Sequence, residues 1–547
     1  MRRLVPTLLI LALSCWTIRP VLTQITSALP IRENHLITVP LFNAWTIWWN
    51  ADCMRRGFSG YWDAPIFFPE QGTLAYSEPQ PATTMVAPVV WLTGSPAAAY
   101  NVYLLLSLFL NGFFTYVILR RHGARRPMAT IGGAMMLWLP ISLRQLEVVQ
   151  LVPVWPMLWT WDAMRRHGTG PSRRTAAELA AAYAVCFYTS IHHTLFLSVV
   201  LAGTGWILFR TVRQSLFWKT SAACVLLAAI PVGAVLVPMQ QTLSEQSFER
   251  SRKLVTDLSA IPQDLFLTPS DALFFGTSNP GFGMSPGWLK MVLAGLGCLL
   301  GLCRRRHRRW VLFLLLTAVV SGLLALGPNL KIGPIQPWWT LADWCPGMSQ
   351  VRNVFRFAYL TQMAVLLLSV TALSQLWVRL RASCKRPRIA SGIVTVLGLL
   401  ALAETPPPTL LLAGVPDLER HSHWTTFVRQ QTPAGMGIAC LPFAPGTKAS
   451  DFAETTRWMY YGTLHKVPLV NGYSGFFPAT YMELRADITE QGLTDDILTR
   501  FSELQTHFLV VRRAYELPAA LMEKKAGVRL ELVFSDEVGI DVYELRR

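Results

Sequence analysis

The chain has 547 residues, 52% of them hydrophobic and only 15% charged, with a mean hydropathy of +0.35 and a formal net charge of +17. A soluble globular chain is about 25% charged, so a wholly water-dissolved architecture is excluded. The basic excess does not mark nucleic-acid binding, because the arginines sit in short clusters between apolar runs, the pattern of topology signals. The nine cysteines are scattered, odd in number and without a CxxC, which supports neither a zinc site nor a disulfide framework.

Crossing a bilayer as a helix takes about 17–25 apolar residues. Runs of that kind lie at 4–22, 86–119, 127–143, 149–164, 175–191, 195–210, 220–238, 287–303, 311–327, 359–379 and 389–405. They predict an α-helical polytopic membrane protein with about eleven transmembrane helices. The first run, MRR followed by LVPTLLILALS, resembles a signal peptide, and Ala12-Leu13-Ser14-Cys15 is a loose lipobox. No A-x-A-type site follows and apolar character resumes to Leu22, so it reads as an uncleaved first span. The basic clusters Arg2–Arg3, Arg120–Arg126, Arg165–Arg174, Arg210–Lys219, Arg304–Arg309 and Arg379–Arg388 all fall in alternate loops. Under the positive-inside rule those loops are cytoplasmic. Loops 23–85, 239–286 and 328–358, and the tail from about 406, then face outward from the cytoplasmic membrane.

Between the first two apolar runs, VPLFNAWTIWWNADCMRR (39–56) places Leu41, Trp45, Trp48 and Asp52 at helical spacing, which fits an amphipathic helix in the membrane interface. The loop GYWDAPIFFPEQGTLAYSEPQP (60–81) follows, with Asp63, Glu70 and Glu78 set among aromatic and proline residues. A carboxylate held near the interface is a candidate general base, since partial burial raises its pKa; the plainer reading is solvated surface. Further along, His192-His193 is weak as a metal pair, because adjacent side chains point apart. Arg352 and Arg356, in VRNVFRF just before a span, are candidate phosphate ligands or interfacial anchors. The prolines at 406–408 end the last helix. Beyond them, HFLVVRR (507–513) and LELVFSD (530–536) predict strands, and VNGYSGFFP (470–478) a turn-rich loop. Residues 406–547 thus form a small extracytoplasmic α/β domain, in which Trp458 and Tyr473 are core or sugar-stacking aromatics.

WDAPIFFPEQGTLAYSEP, LEVVQLVPVWPML (146–158), LGPNLKIGP (326–334), CPGMSQVRNVFRF (345–357) and VPLVNGYSGFFPATY (467–481) occur in the order found in a bacterial group of polytopic proteins within or near the GT-C superfamily of membrane glycosyltransferases, which the chain resembles. The resemblance implies a GT-C-like domain over 1–405 with a long first outer loop, 23–85. It also implies transfer of a sugar from a polyprenyl-phosphate donor to an envelope glycan, lipid or protein. A carboxylate would deprotonate the acceptor, and an arginine or a divalent cation would neutralise the departing phosphate. The acids on offer are Asp63, Glu78 and Glu33; the substrate-binding candidates are Arg352, Arg356, Tyr76 and Trp62. No cofactor is assigned beyond that divalent cation.

Two positions depart from the pattern. Val39 stands where relatives carry an acid before the first-loop helix, and the stretch Leu146–Gln150 lacks a histidine. Two other readings follow. One is a catalytically inactive sugar- or lipid-binding relative in envelope assembly. The other is a transporter of lipid-linked saccharide, which inverted repeats would favour; none is visible.

Overall fold

The computed structural model describes residues 4–32, 35–246, 250–278, 281–383, 386–518, 521 and 527–546. The chain divides into two compact units. The first holds Met1–Arg19, Leu104–Gly233 and Glu249–Thr409; the second holds Pro20–Tyr103, Ala234–Phe248 and Leu410–Arg547.

The first unit is helical. All eleven apolar runs fall on helices. Among the described residues, however, only five helices are long and apolar enough to cross a membrane: Pro96–Arg121, Ile191–Leu208, Ser215–Glu245, Arg305–Ala325 and Val354–Ser383. Shorter apolar helices lie at Val5–Thr17, Pro81–Thr93, Trp288–Leu302 and Arg388–Ala403. The expected count of eleven spans is therefore not reached, and the breakers explain much of the shortfall. The 127–143 run stops as a helix at Leu137, three residues before Pro140, because the residue before a proline is pushed out of the α region. The 86–119 run splits at Gly94, whose φ of 66° lies in the left-handed region.

Helix Ala358–Ser383 forms the middle of this unit, with Leu366, Leu367, Val370 and Leu373 fully buried. Its closest neighbour, Trp288–Leu302, approaches through Gly297, where an added Cβ would stand 2.1 Å from the carbonyl oxygen of Leu368. Ser215–Glu245 is the opposite case: Val225, Leu226 and Ile230 are all more than 60% exposed, as a lipid-facing helix requires.

Four of the basic clusters gather at one end of the first unit. Arg121, Arg165 and Arg166 all pair with the buried Asp162. The Arg210 backbone N–H donates to the Gly168 carbonyl at 2.8 Å, and Arg309 donates to that of Phe209 at 2.9 Å. His122 stacks on Trp310 at 4.4 Å. Helix Arg305–Ala325 starts at this basic end and runs 21 residues, about 30 Å, so residues 326–358 lie at the opposite end.

The second unit carries six strands among the described residues. β1 (Ala28–Ile31) pairs antiparallel with β2 (Leu411–Gly414). β3 (Gly437–Leu441), β4 (Thr506–Arg512), β5 (Arg529–Ser535) and β6 (Ile540–Arg546) form a sheet of order β3-β4-β6-β5. β3 and β4 are parallel, with Cys440 opposite Val510, and the other pairs are antiparallel. A parallel pair needs a crossover connection, and helices Ala453–His465, Ala479–Gln491 and Asp495–Glu503 lie in it. The strands predicted at 507–513 and 530–536 are β4 and β5, and 470–478 is irregular as expected. The predicted interfacial helix at 39–56 forms, as Thr38–Arg55, but it does not lie on a surface. Leu41, Asn43, Trp45, Ile47, Trp48, Asn50 and Ala51 are buried around its whole circumference, so it is a core helix of this unit.

Candidate functional site

The loop at 60–81 is fastened along its whole length. The free edge of β3 is covered by residues 468–471: Ile438 N–H donates to the Pro468 carbonyl and Val470 N–H to that of Ile438, each at 2.9 Å. Asn471 completes this edge with its side chain, accepting from Cys440 N–H at 2.6 Å and donating to the Cys440 carbonyl at 2.9 Å. The same segment then holds the 60–81 loop, since Phe68 N–H donates to the Leu469 carbonyl at 2.8 Å and Leu469 N–H to that of Pro65 at 3.2 Å. Gly472 leaves room for the Phe67 ring, which would lie 2.5 Å from any Cβ there. At the other end of the loop, Asn50 donates to the carbonyls of Pro79 and Gln80 and to the Thr83 hydroxyl, and accepts from Tyr61 at 2.8 Å. Gln80 in turn donates to Asn43 at 2.7 Å. A buried amide is costly unless such partners are present. Helix Thr38–Arg55 therefore braces the loop from within.

The acids and aromatic candidates of this loop fall into different environments. Asp63 is exposed and accepts the Gly72 N–H at 2.9 Å, which makes it a brace for the turn between them. Glu70 accepts from Thr480 at 2.8 Å. Glu78 is only 7% exposed. Trp62 is half-buried and packs edge-on against Tyr61 at 5.2 Å. Tyr76 is fully buried against Phe67; its carbonyl accepts Phe476 N–H at 3.0 Å, and burial holds its phenol well above the usual range. A ring so placed offers no face to a sugar, so Tyr76 serves the packing of the loop. Glu33 lies outside the described residues. Among the described residues no three His, Cys, Asp or Glu side chains stand close enough to hold a metal ion.

In the first unit, at the end opposite the basic clusters, residues 144–145 and parts of loops 239–286 and 328–358 come together. Arg356 is half-buried, donates to Gln145 Oε1 at 3.3 Å and lies 5.9 Å from the Phe355 ring. Phe355 stacks on Phe282 at 4.3 Å and 13°. Arg352 is exposed. It stands close enough to Arg250 to act with burial in pulling that guanidinium down to about 10, burial being the larger cause. Segments 144–145, 282–283 and 355–356 thus meet. Trp62, Asp63, Tyr76 and Glu78 belong to the second unit.

Sequence reasoning passed over Arg144, Arg250 and the buried pair Lys290–Glu404, whose nitrogen and oxygen lie 3.5 Å apart. A signal for the two arginines was available. Both sit in loops that charge alternation assigns to the outside, where arginine runs against the positive-inside rule. Glu404 serves the fold, accepting the N–H groups of Leu289 and Lys290 at the start of helix Trp288–Leu302.

The family model described as Domain of unknown function (DUF6311) matches residues 45–402, and the chain belongs to that family. Among curated proteins no sequence match is found. Among solved structures, the arabinofuranosyltransferase AftD from Mycobacteria is similar over 100% of this chain and 40% of its own, at 15% identity and a TM-score of 0.58. A variant of the same enzyme gives 16% identity, 41% of its own chain and a TM-score of 0.54. An Archaeoglobus fulgidus oligosaccharyltransferase in its apo form is similar over 93% of this chain and 69% of its own, at 12% identity and a TM-score of 0.48. The chain spans about two fifths of the length of the AftD chains it matches. At this identity the likeness to AftD concerns the fold alone, and it agrees with the GT-C resemblance of the sequence motifs.

Proposed function

We propose that this DUF6311 protein transfers a sugar from a polyprenyl-phosphate-linked donor to an envelope glycan, lipid or protein on the outer face of the cytoplasmic membrane. The observation that supports it most is the meeting of Arg356 and its neighbour Phe355 with segments 144–145 and 282–283, in a multi-pass membrane protein of GT-C fold. Guanidinium groups match phosphate geometry and stabilise the charge that develops on a departing phosphate. The acceptor hydroxyl attacks the anomeric carbon as the sugar–phosphate bond breaks. Its proton passes to a carboxylate, and the polyprenyl phosphate leaves as the anion. Glu78 and Asp63 are the candidates for that base, with Glu78 preferred because it is desolvated while Asp63 is engaged in its turn. Trp62 keeps the role of sugar-facing aromatic. A divalent cation is the second candidate source of neutralising charge, tested by assay with and without a chelator. The N-terminus is cytoplasmic and the C-terminal domain outside, on the alternation of basic clusters.

The test is sugar transfer by the purified protein, supplied with polyprenyl-phosphate sugars and an acceptor extract, with Asp63→Asn and Glu78→Gln made singly. Loss of the base lowers the rate about 100-fold or more. Wild-type rates in both variants would remove these acids from the mechanism. The second reading is an inactive sugar- or lipid-binding relative, favoured by Val39 at the position where an acid is expected. It predicts donor binding with no transfer by the wild type.

A further inference from the structure

The loop of Gly283 is shaped around Arg144. Gly283 has a φ of 62°, and a Cβ built on it would stand 1.9 Å from Arg144 Nη1 and 2.4 Å from Cζ. The guanidinium therefore lies flat on the glycine backbone, in space that any other residue would fill. Both walls of this cradle are pinned by one buried side chain. Gln362 accepts the Ile141 N–H at 3.1 Å and donates to the carbonyls of Met284 at 2.8 Å and Gly283 at 3.3 Å. Arg144 is followed directly by Gln145, the acceptor of Arg356, and Gly283 directly follows Phe282, which stacks on Phe355. Two guanidiniums are thus brought to one place from loops more than 200 residues apart. Among the described residues, Asp264 packs against Gly281, with its other oxygen taken by the Ile261 N–H.

We propose that Arg144 is an additional phosphate-binding residue, positioned by Gly283 and Gln362, which works with Arg356 on the phosphate of a hydrocarbon-linked ligand. The proposal rests on the phosphate site of the preceding section. The stacked pair Phe282–Phe355 supplies the apolar floor that a phosphate joined to a prenyl chain needs beside its charge, which free inorganic phosphate does not. Arginine at this position offers two parallel donors, which lysine cannot reproduce.

The experiment is binding of polyprenyl phosphate, without sugar, to the full-length protein in detergent, with inorganic phosphate as a second probe. Arg144→Gln is expected to weaken polyprenyl phosphate binding about 10-fold or more, and Arg144→Lys to recover only part of the loss. Gly283→Ala, which displaces the guanidinium but keeps its charge, is expected to mimic Arg144→Gln where its unfolding midpoint shows a folded protein. Arg356→Gln serves as the control on the site itself. If Arg356→Gln weakens binding and Arg144→Gln does not, the role of Arg144 is overturned while the phosphate site stands. If wild-type protein binds neither probe, both fail. Equal affinity for inorganic phosphate and polyprenyl phosphate would overturn the hydrocarbon-linked assignment.

Discussion

The two ends of the first unit handle positive charge in opposite ways. At the basic end, Arg121, Arg165 and Arg166 close around Asp162, which is fully buried, and Arg166 also pairs with Glu178. There the charges answer one another, and the arrangement belongs to the fold. At the opposite end, Arg144 and Arg356 are brought together through Gly283 and Gln145, and Arg352 stands near Arg250. Packing like charges together costs stability that an anion can return. The difference separates arginines locked around one buried carboxylate from arginines at the loop junction where we propose that a phosphate binds, a distinction that composition alone does not make.

The sharpest way to break this comparison is at Asp162. Asp162→Asn leaves three part-exposed guanidiniums without their shared carboxylate, and losing such charge-assisted hydrogen bonds costs about 1.5–3 kcal/mol. Chemical unfolding in detergent checks it. A loss under about 1 kcal/mol would mean that the basic end, like the opposite end, contributes little to stability through its charges.

A second test uses pH on the second unit. His465 is buried in the C-terminal domain, accepts the Val467 N–H on Nδ1 at 3.0 Å, and is held by burial at about 3 against an ordinary 6.5. Its folded pKa is depressed, so the folded state binds fewer protons than the unfolded one. The neutral-ring stability is complete above about pH 6.5 and is lost as pH falls toward 3. At pH 5 the loss is about 2 kcal/mol. Unfolding followed by tryptophan fluorescence at pH 7 and pH 5 measures it, and His465→Gln should flatten the dependence.

Much of the architecture was legible because it rests on local signals. The eleven apolar runs mark helices, Pro140 and Gly94 mark where two of those runs break, and the alternating pattern of HFLVVRR marks β4. What stayed hidden depends on contacts far apart in sequence. Trp45 and Trp48 suggested an interfacial helix. Their burial against elements of the C-terminal domain makes Thr38–Arg55 a core helix instead, and no window around residue 45 contains that fact. Arg352 and Arg356 were readable as phosphate ligands from their type and place before a span. For Arg144 the sequence offered only its place in an outer loop; the partners that position it, Gly283 and Gln362, lie far along the chain. The acids of the 60–81 loop were singled out by type, but only their surroundings separate the braced Asp63 from the buried Glu78.

The smallest expected effect sharpens the contrast from the other side. Arg352→Gln removes an exposed charge that stands near Arg250, so unfolding stability should stay within about 0.5 kcal/mol of wild type or rise slightly. Differential unfolding of the ligand-free protein checks this. A loss of several kcal/mol would assign Arg352 to the fold.

The most direct measurement is the rate of sugar transfer from a polyprenyl-phosphate donor by wild type and Arg356→Gln at equal folded concentration, with unfolding midpoints recorded alongside. If the opposite end holds the departing phosphate, the rate falls about 100-fold or more while the midpoint stays close to wild type. An unchanged rate in a folded Arg356→Gln protein would contradict that role and leave the arginine cluster without a part in the chemistry.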